Sequence, residues 1–247
     1  MISFVGAGPG APDLITVRGR ERLRAADLVI YAGSLVNPAL LKECKPGCKI
    51  LDSAGMTLEE VIAAMAEAAG RAVVRLHTGD PSIYGAIREQ IDELRARGIA
   101  FEVVPGVSSF CAAAAALEAE LTLPGVSQSV ILTRMAGRTP VPERESVRAL
   151  AAHRATMALF LSAGMLEALC EELIAGGYPP QTPAALVYKA SWPEQTVVRG
   201  TLGSLPELGA GFHRTALVVV GGVLEGPYEK SKLYDAAFSH IYREAKG

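Results

Sequence analysis

The sequence is poor in residues that hold metals and cross-links, with 4 cysteines and 4 histidines among 247 residues. Cys44, Cys48, Cys111 and Cys170 are too few and too scattered for a disulfide framework in a chain of this length. Cys44 and Cys48 stand close together. No second Cys or His pair follows at a suitable spacing, however, and a zinc site needs four ligands. His77, His153, His213 and His240 form no spaced cluster either, so no metal site is expected. Long apolar runs are also missing. The longest, 110–117 and 216–224, fall far short of the roughly 20 residues needed to cross a bilayer. The first residues carry neither a basic leader nor a cleavage-site pattern, which makes the cytoplasm the expected location. Positive charge is not in surplus: Lys plus Arg number 24 against 26 for Asp plus Glu, a net charge of −2. That balance excludes an overall basic field able to hold a nucleic-acid backbone or an anionic membrane.

What is present is apolar material in a regular order. Half of the residues are hydrophobic, and a chain of this size can bury about 70–75% of its unfolded surface. Short β-branched runs alternate with helical patterns, which predicts an α/β fold. Strands are expected at 2–5, 28–31, 49–51, 72–76 and 101–104, with helices at 16–25, 58–69, 82–97 and 108–118. Pro124-Gly125 then stops regular structure, and the boundary between two α/β domains is placed there, giving 1–118 and 119–247. The second half offers strands at 129–133, 157–161, 185–188, 196–200 and 215–220. Two of these are separated only by a short turn, so a mixed sheet is expected. In the tail, 231–244, Leu233, Ala237, Phe238 and Ile241 recur at helical spacing and predict an amphipathic helix docked on the body or on a second subunit.

The strand-to-helix junctions carry the chemistry. The first, Gly6-Ala7-Gly8-Pro9-Gly10-Ala11-Pro12-Asp13, superficially suggests a dinucleotide fingerprint. The sixth position is Ala11 where that fingerprint needs glycine, Pro9 and Pro12 have no N–H to donate, and the acidic residue expected about 20 positions later is absent. Nicotinamide or flavin binding in the usual mode is therefore not expected. The second junction, His77 to Gly85, places Asp80 before Pro81 as a helix cap, with Thr78, Gly79 and Gly85 leaving room for a ligand beside the backbone. The third, Val104-Pro105-Gly106-Val107-Ser108-Ser109, turns on Pro-Gly, and Ser108 can cap the next helix. In a parallel sheet the carboxyl ends of the strands share one edge, so the three turns should converge on a single crevice.

Together GAGPGAPDLIT, HTGDPSIYGA and VPGVSS resemble the tetrapyrrole methyltransferase family, whose fold is not the Rossmann type. The segments YAGSLV, LTRMAGRTPVPE and VYKASWP are similar to its cobalamin-biosynthesis branch, which methylates carbon 11 of precorrin-4 or its cobalt form. The alternative is a relative acting on another ring carbon. The resemblance covers residues 1 to about 225. It implies two α/β domains with S-adenosylmethionine in the cleft between them, S-adenosylhomocysteine as product, a tetrapyrrole substrate and a homodimer. Carried over by motif, Pro9, Thr78, Gly79, Asp80, Ile83, Ser108 and Ser109 would contact the cofactor. Ser162, Ala190 and Ala216 would add contacts from the second half. Arg134 and Arg138, whose forked guanidinium donors suit carboxylates, and Lys189 would meet the carboxylates at the substrate's rim, or else point into water as solvated surface charges. The chain departs from the family pattern at Ala11, usually acidic, and at Tyr31-Ala32-Gly33, where uroporphyrinogen-acting relatives carry an aspartate. Those absences leave no evident carboxylate base, and no catalytic residue is assigned.

Overall fold

A computed structural model describes residues 1–235 and 237–244. By contact the chain divides into two compact units. One comprises Met1–Ala112 with Lys189–Gln195, the other Ala113–Tyr188 with Thr196–Gly247. The first unit thus ends at Ala112, where the expected boundary followed residue 118, and of the VYKASWP segment the part from Lys189 onward groups with the first unit while Val187 and Tyr188 stay with the second.

The first unit holds strands β1 (Ile2–Gly6), β2 (Leu28–Tyr31), β3 (Lys49–Asp52), β4 (Val73–His77) and β5 (Phe101–Val104) in the order β3-β2-β4-β1-β5. Every pairing is parallel, so all five carboxyl ends lie along one edge. β1 lies between β4 and β5 and is buried on both faces, which is why Ile2, Phe4 and Val5 do not alternate with exposed polar residues; Ser3, its one polar side chain, is buried as well. The helices α1 (Val17–Ala25), α2 (Leu58–Glu67) and α3 (Ile87–Ala96) connect the strands. Thr16 caps α1 by accepting from the Gly19 N–H at 3.1 Å. Thr57 and Glu60 form a reciprocal capping box at the start of α2. A fourth helix, α4 (Ser109–Ala116), spans the division between the units.

The helix expected at 82–97 starts later, at Ile87, and Asp80 does not cap it. Residues 81–84 form a turn instead. The Asp80 carboxylate accepts from the backbone N–H of Ser82 at 2.8 Å and from its hydroxyl, a local bond that competes with helix. Tyr84 and Ala86 then adopt φ of 56° and 49°, outside helical space. Gly85 is required between them, because a Cβ there would lie 2.1 Å from the Pro81 carbonyl oxygen.

In the second unit β6 (Val130–Arg134), β7 (Thr156–Phe160), β8 (Pro183–Tyr188), β9 (Thr196–Thr201) and β10 (Ala216–Val220) are ordered β6-β7-β10-β8-β9. The sheet is mixed, as expected: β6–β7 is parallel and the other three pairings are antiparallel. The helices α5 (Val147–Ala151), α6 (Leu166–Ala175) and α7 (Leu205–Leu208) complete the unit. Its core includes Met157, Leu159, Leu169, Leu173, Leu186 and Val218.

The tail departs from expectation. Instead of an amphipathic helix, the described residues of 231–244 show a short turn of 3₁₀ helix, Lys232–Tyr234, and an isolated bridge between His240 and Arg243. Leu233, Ala237, Phe238 and Ile241 are exposed. The spacing is helical, but an isolated short helix is marginal in water without a face to pack against. Local bonds win instead: Asp235 accepts from the Ala237 N–H at 2.9 Å, and Arg243 donates to the carbonyls of Leu233 and Asp235 at 2.9 and 2.6 Å. Among the described residues no helix is long and apolar enough to cross a membrane.

Candidate functional site

The carboxyl ends of β4, β1 and β5 are adjacent in the sheet, and each runs into one of the glycine turns. The turns meet backbone to backbone. Gly79 donates to the Gly8 carbonyl at 2.8 Å and Gly8 donates back to the Gly79 carbonyl at 3.3 Å. A Cβ on Gly106 would stand 2.2 Å from the Gly79 carbonyl oxygen, and one on Gly6 would stand 2.5 Å from the Gly106 Cα. No side chain fits at Gly6 or Gly106, so these two glycines and the Gly79 carbonyl mark where three loops touch. The convergence inferred from the motifs is present.

Asp80 joins the second turn to the third. One carboxylate oxygen is engaged by Ser82, while the other accepts from the Gly106 N–H at 2.9 Å. Burial acts to raise its pKa, but the bonds from the Ser82 hydroxyl, the Gly106 N–H and the Ser82 N–H outweigh burial and hold the carboxyl below its ordinary value. Asp80 is therefore ionised at neutral pH, and it is an organiser of the turns. Pro9 and Gly79 are buried, Thr78 and Ile83 are half-buried, and the Ile83 N–H donates to the Asp80 carbonyl at 3.2 Å. Ser108 is buried, and its carbonyl accepts from Cys111 at 3.0 Å as the chain enters α4; Ser109 opens that helix half-buried.

Beneath the second turn lies His77, 4% exposed and stacked on Phe4 at 6.1 Å between ring centroids. Burial first, and the nearby Arg75 guanidinium second, push its pKa down to about 3, so the imidazole is neutral at physiological pH. Arg75 is itself buried. It donates to Gln90 Oε1 at 3.1 Å and to the Ile30 carbonyl at 3.2 Å.

Three groups to which the sequence reading gave no role hold the first turn from outside. Asn37 Nδ2 donates to the Gly10 carbonyl at 2.9 Å, Trp192 Nε1 donates to the Pro9 carbonyl at 3.1 Å, and the Ala11 N–H donates to Ser191 Oγ at 2.9 Å. Two signals were available: Ser191 and Trp192 stand in the VYKASWP segment, and Trp192 is the single tryptophan of the chain. Ala190 and Lys189 belong to the same segment; Ala190 is buried, and the Lys189 ammonium lies 5.1 Å from the Trp192 ring centroid and 3.7 Å from Glu194 Oε1.

The remaining expected residues lie in the second unit. Ser162, fully buried, accepts from the Met135 N–H at 2.9 Å and donates to the Phe160 carbonyl at 2.7 Å, so its hydroxyl is occupied in tying the ends of β6 and β7. Arg134 donates to the carbonyls of Met135, Thr139 and Pro140 at 3.0, 3.2 and 2.9 Å and so folds its own loop. Arg138 is exposed and makes no ion pair among the described residues. Ala216 opens β10, in register with Tyr188.

A five-stranded parallel sheet with three glycine turns at adjacent carboxyl ends is a ligand-binding architecture of the open α/β kind. Its class is further defined by comparison: the tetrapyrrole (corrin/porphyrin) methylases match residues 1–206, and the chain belongs to that family. Cobalt-precorrin-4 C(11)-methyltransferase of Methanocaldococcus jannaschii is 54% identical, over 99% of this chain and 96% of that protein. The crystal structure of a cobalamin biosynthetic enzyme, cobalt precorrin-4 methyltransferase, superposes with a TM-score of 0.89 at 48% identity, over 91% of this chain and 96% of that one. A uroporphyrin-III C-methyltransferase from Thermus thermophilus, complexed with S-adenosylhomocysteine, gives a TM-score of 0.76 at 28% identity, over 90% and 92%.

Proposed function

We propose that this chain is an S-adenosylmethionine-dependent C-methyltransferase that methylates carbon 11 of precorrin-4, or of its cobalt form, in cobalamin biosynthesis. The observation that carries this reading is similarity along essentially the whole chain to a protein named for that reaction, together with the three converging turns at one sheet edge.

The turns suit a sulfonium cofactor. None of 6–13, 77–85 or 104–109 contains Lys or Arg; His77 is held neutral and Asp80 is held ionised. Within these turns a cationic ligand thus meets an anionic carboxylate and no opposing cation. Gly79 leaves room as well, since a Cβ there would find its nearest neighbour at 3.6 Å. When bound, S-adenosylmethionine supplies a methyl group on sulfonium sulfur, which passes to the ring carbon by in-line displacement as S-adenosylhomocysteine leaves.

In this reading Pro9, Thr78, Gly79, Asp80, Ile83, Ser108 and Ser109 hold the cofactor, with further contacts from Ser162, Ala190 and Ala216. The chain's contribution is placement more than chemistry: holding reactants in near-attack geometry is worth about 7–11 kcal/mol in favourable intramolecular cases. Arg138 and Lys189 meet the peripheral carboxylates of the tetrapyrrole, while Arg134 acts by shaping the loop that presents Arg138. A homodimer working in the cytoplasm completes the proposal.

The test is to incubate the purified protein with precorrin-4 or cobalt-precorrin-4 and methyl-labelled S-adenosylmethionine, then locate the label by NMR. The label is expected on carbon 11. Label on another ring carbon, or none on either tetrapyrrole, would contradict the proposal. Light scattering on a sizing column checks the dimer.

A further inference from the structure

The first glycine turn cannot hold its own shape. Pro9 and Pro12 donate no hydrogen bond, and the carbonyls of Pro9 and Gly10 point to partners distant in sequence, Trp192 and Asn37. The 189–195 segment meets this turn at three points. The Trp192 indole N–H donates to the Pro9 carbonyl, Ser191 Oγ accepts from the Ala11 N–H, and the indole ring lies against Gly10 so closely that a Cβ there would fall 2.0 Å from Trp192 Cδ1. The segment is itself braced. The Trp192 N–H donates to the Lys189 carbonyl at 2.9 Å, the Gln195 N–H donates to the Trp192 carbonyl at 3.0 Å, and the Ser191 N–H donates to Gln195 Oε1 at 2.7 Å. Lys189 and Ser191 are kept at φ of 45° and 68°, a region costly for residues with side chains. Such strain persists only where surrounding contacts fix it, and it is concentrated here on the two residues flanking Ala190.

We infer that Ser191 and Trp192 are positioning residues for the methyl donor: they form a strap that sets the Gly8-Pro9-Gly10-Ala11 turn in its donor-binding shape. The inference rests on the reading that this turn holds S-adenosylmethionine. Neither residue needs to touch the reacting atoms. Their effect is on how well the Pro9 turn is preorganised, and hence on donor affinity more than on the methyl-transfer step.

The experiment titrates S-adenosylhomocysteine calorimetrically into the full-length wild type, Trp192→Phe and Ser191→Ala, with thermal melting of each protein and steady-state kinetics on the donor. Trp192→Phe keeps an aromatic ring and deletes the N–H; Ser191→Ala deletes the acceptor and leaves the ring. Loss of one such bond corresponds to about a tenfold weaker Kd. The expected result for each variant is therefore about a tenfold rise in Kd and in the donor KM, with binding stoichiometry and kcat near wild type. If Trp192→Phe fails to fold, Ser191→Ala carries the test alone. Unchanged Kd in variants that fold would overturn the inference, as would a fall in stoichiometry or kcat at constant Kd, the signature of a merely structural role. Failure of the wild type to bind would instead overturn the donor reading, and the inference with it.

Discussion

The strand ends of the two units are held in different ways. In the first, backbone meets backbone: Gly8 and Gly79 exchange hydrogen bonds, and Gly6 and Gly106 approach their neighbours, the Gly79 carbonyl among them, where no Cβ fits. In the second, side chains do the tying. Ser162 bridges Met135 and Phe160, Arg134 gathers three carbonyls of its loop, and Thr156 donates to the Leu121 carbonyl at 2.9 Å. The difference follows from topology. A parallel sheet aligns its carboxyl ends, so adjacent turns crowd one another and only glycine permits the contact. A mixed sheet alternates strand direction, so neighbouring loops are fewer and longer-reaching side chains fill the gap.

The contrast can be broken most forcefully at Gly106. Gly106→Ala places a methyl against the Gly79 carbonyl and is expected to cost about 3 kcal/mol or more in urea unfolding, with S-adenosylhomocysteine binding lost. Gly55, where an added Cβ would meet nothing within 4 Å, is the control, and Gly55→Ala should stay within about 0.5 kcal/mol. Equal effects at the two glycines would contradict the account. Next comes Asp80→Asn, which removes the charge that couples the second turn to the third. A loss of about 1.5–3 kcal/mol is expected from hydrogen bonds to an ionised group, accompanied by at least about tenfold weaker ligand binding. Because the folded carboxyl titrates below its ordinary value, the Asp80 contribution is present above the unfolded pKa. It is lost as pH falls through the lower folded one.

His77 sharpens the comparison through pH. Its folded pKa is about 3 against a reference of 6.5, so between these values the unfolded chain binds a proton that the folded chain refuses. Stability should therefore fall on acidification from pH 6.5 towards 3, by up to roughly 1.4 kcal/mol per pH unit. Denaturant titrations at pH 6 and pH 4 should show a shallower fall in His77→Phe; an unchanged slope would remove His77 as its cause. In the second unit, Ser162→Ala should cost about 1 kcal/mol by chemical denaturation and leave the glycine turns intact. The smallest effect on stability belongs to the exposed Arg138: Arg138→Ala should melt within about 0.5 kcal/mol of wild type while raising the KM for the tetrapyrrole. An unaltered KM would return Arg138 to the solvated surface.

The same contrast explains what can be read from the sequence. The glycine turns are legible because a contact that excludes Cβ leaves its mark in the residue itself, and β2 and β10 are legible as short apolar runs. The mixed sheet is visible through its short connections. Hydroxyl and guanidinium ties are not, since Ser162 and Arg134 look like any serine and arginine until their partners are known. Trp192 and Asn37 escape for a similar reason: their partners, Pro9 and Gly10, lie far away in the chain. At 81–86 a helical pattern loses to an aspartate turn and two left-handed residues. The tail pattern loses because periodicity states which face could be buried without supplying anything to bury it.

Hydrogen–deuterium exchange on the intact protein, with and without S-adenosylhomocysteine, tests most directly whether the three turns act as one donor site. The account predicts that added ligand slows exchange together in 6–11, 77–84 and 104–109. Protection confined to other segments, or reaching one of these turns without the other two, would contradict it.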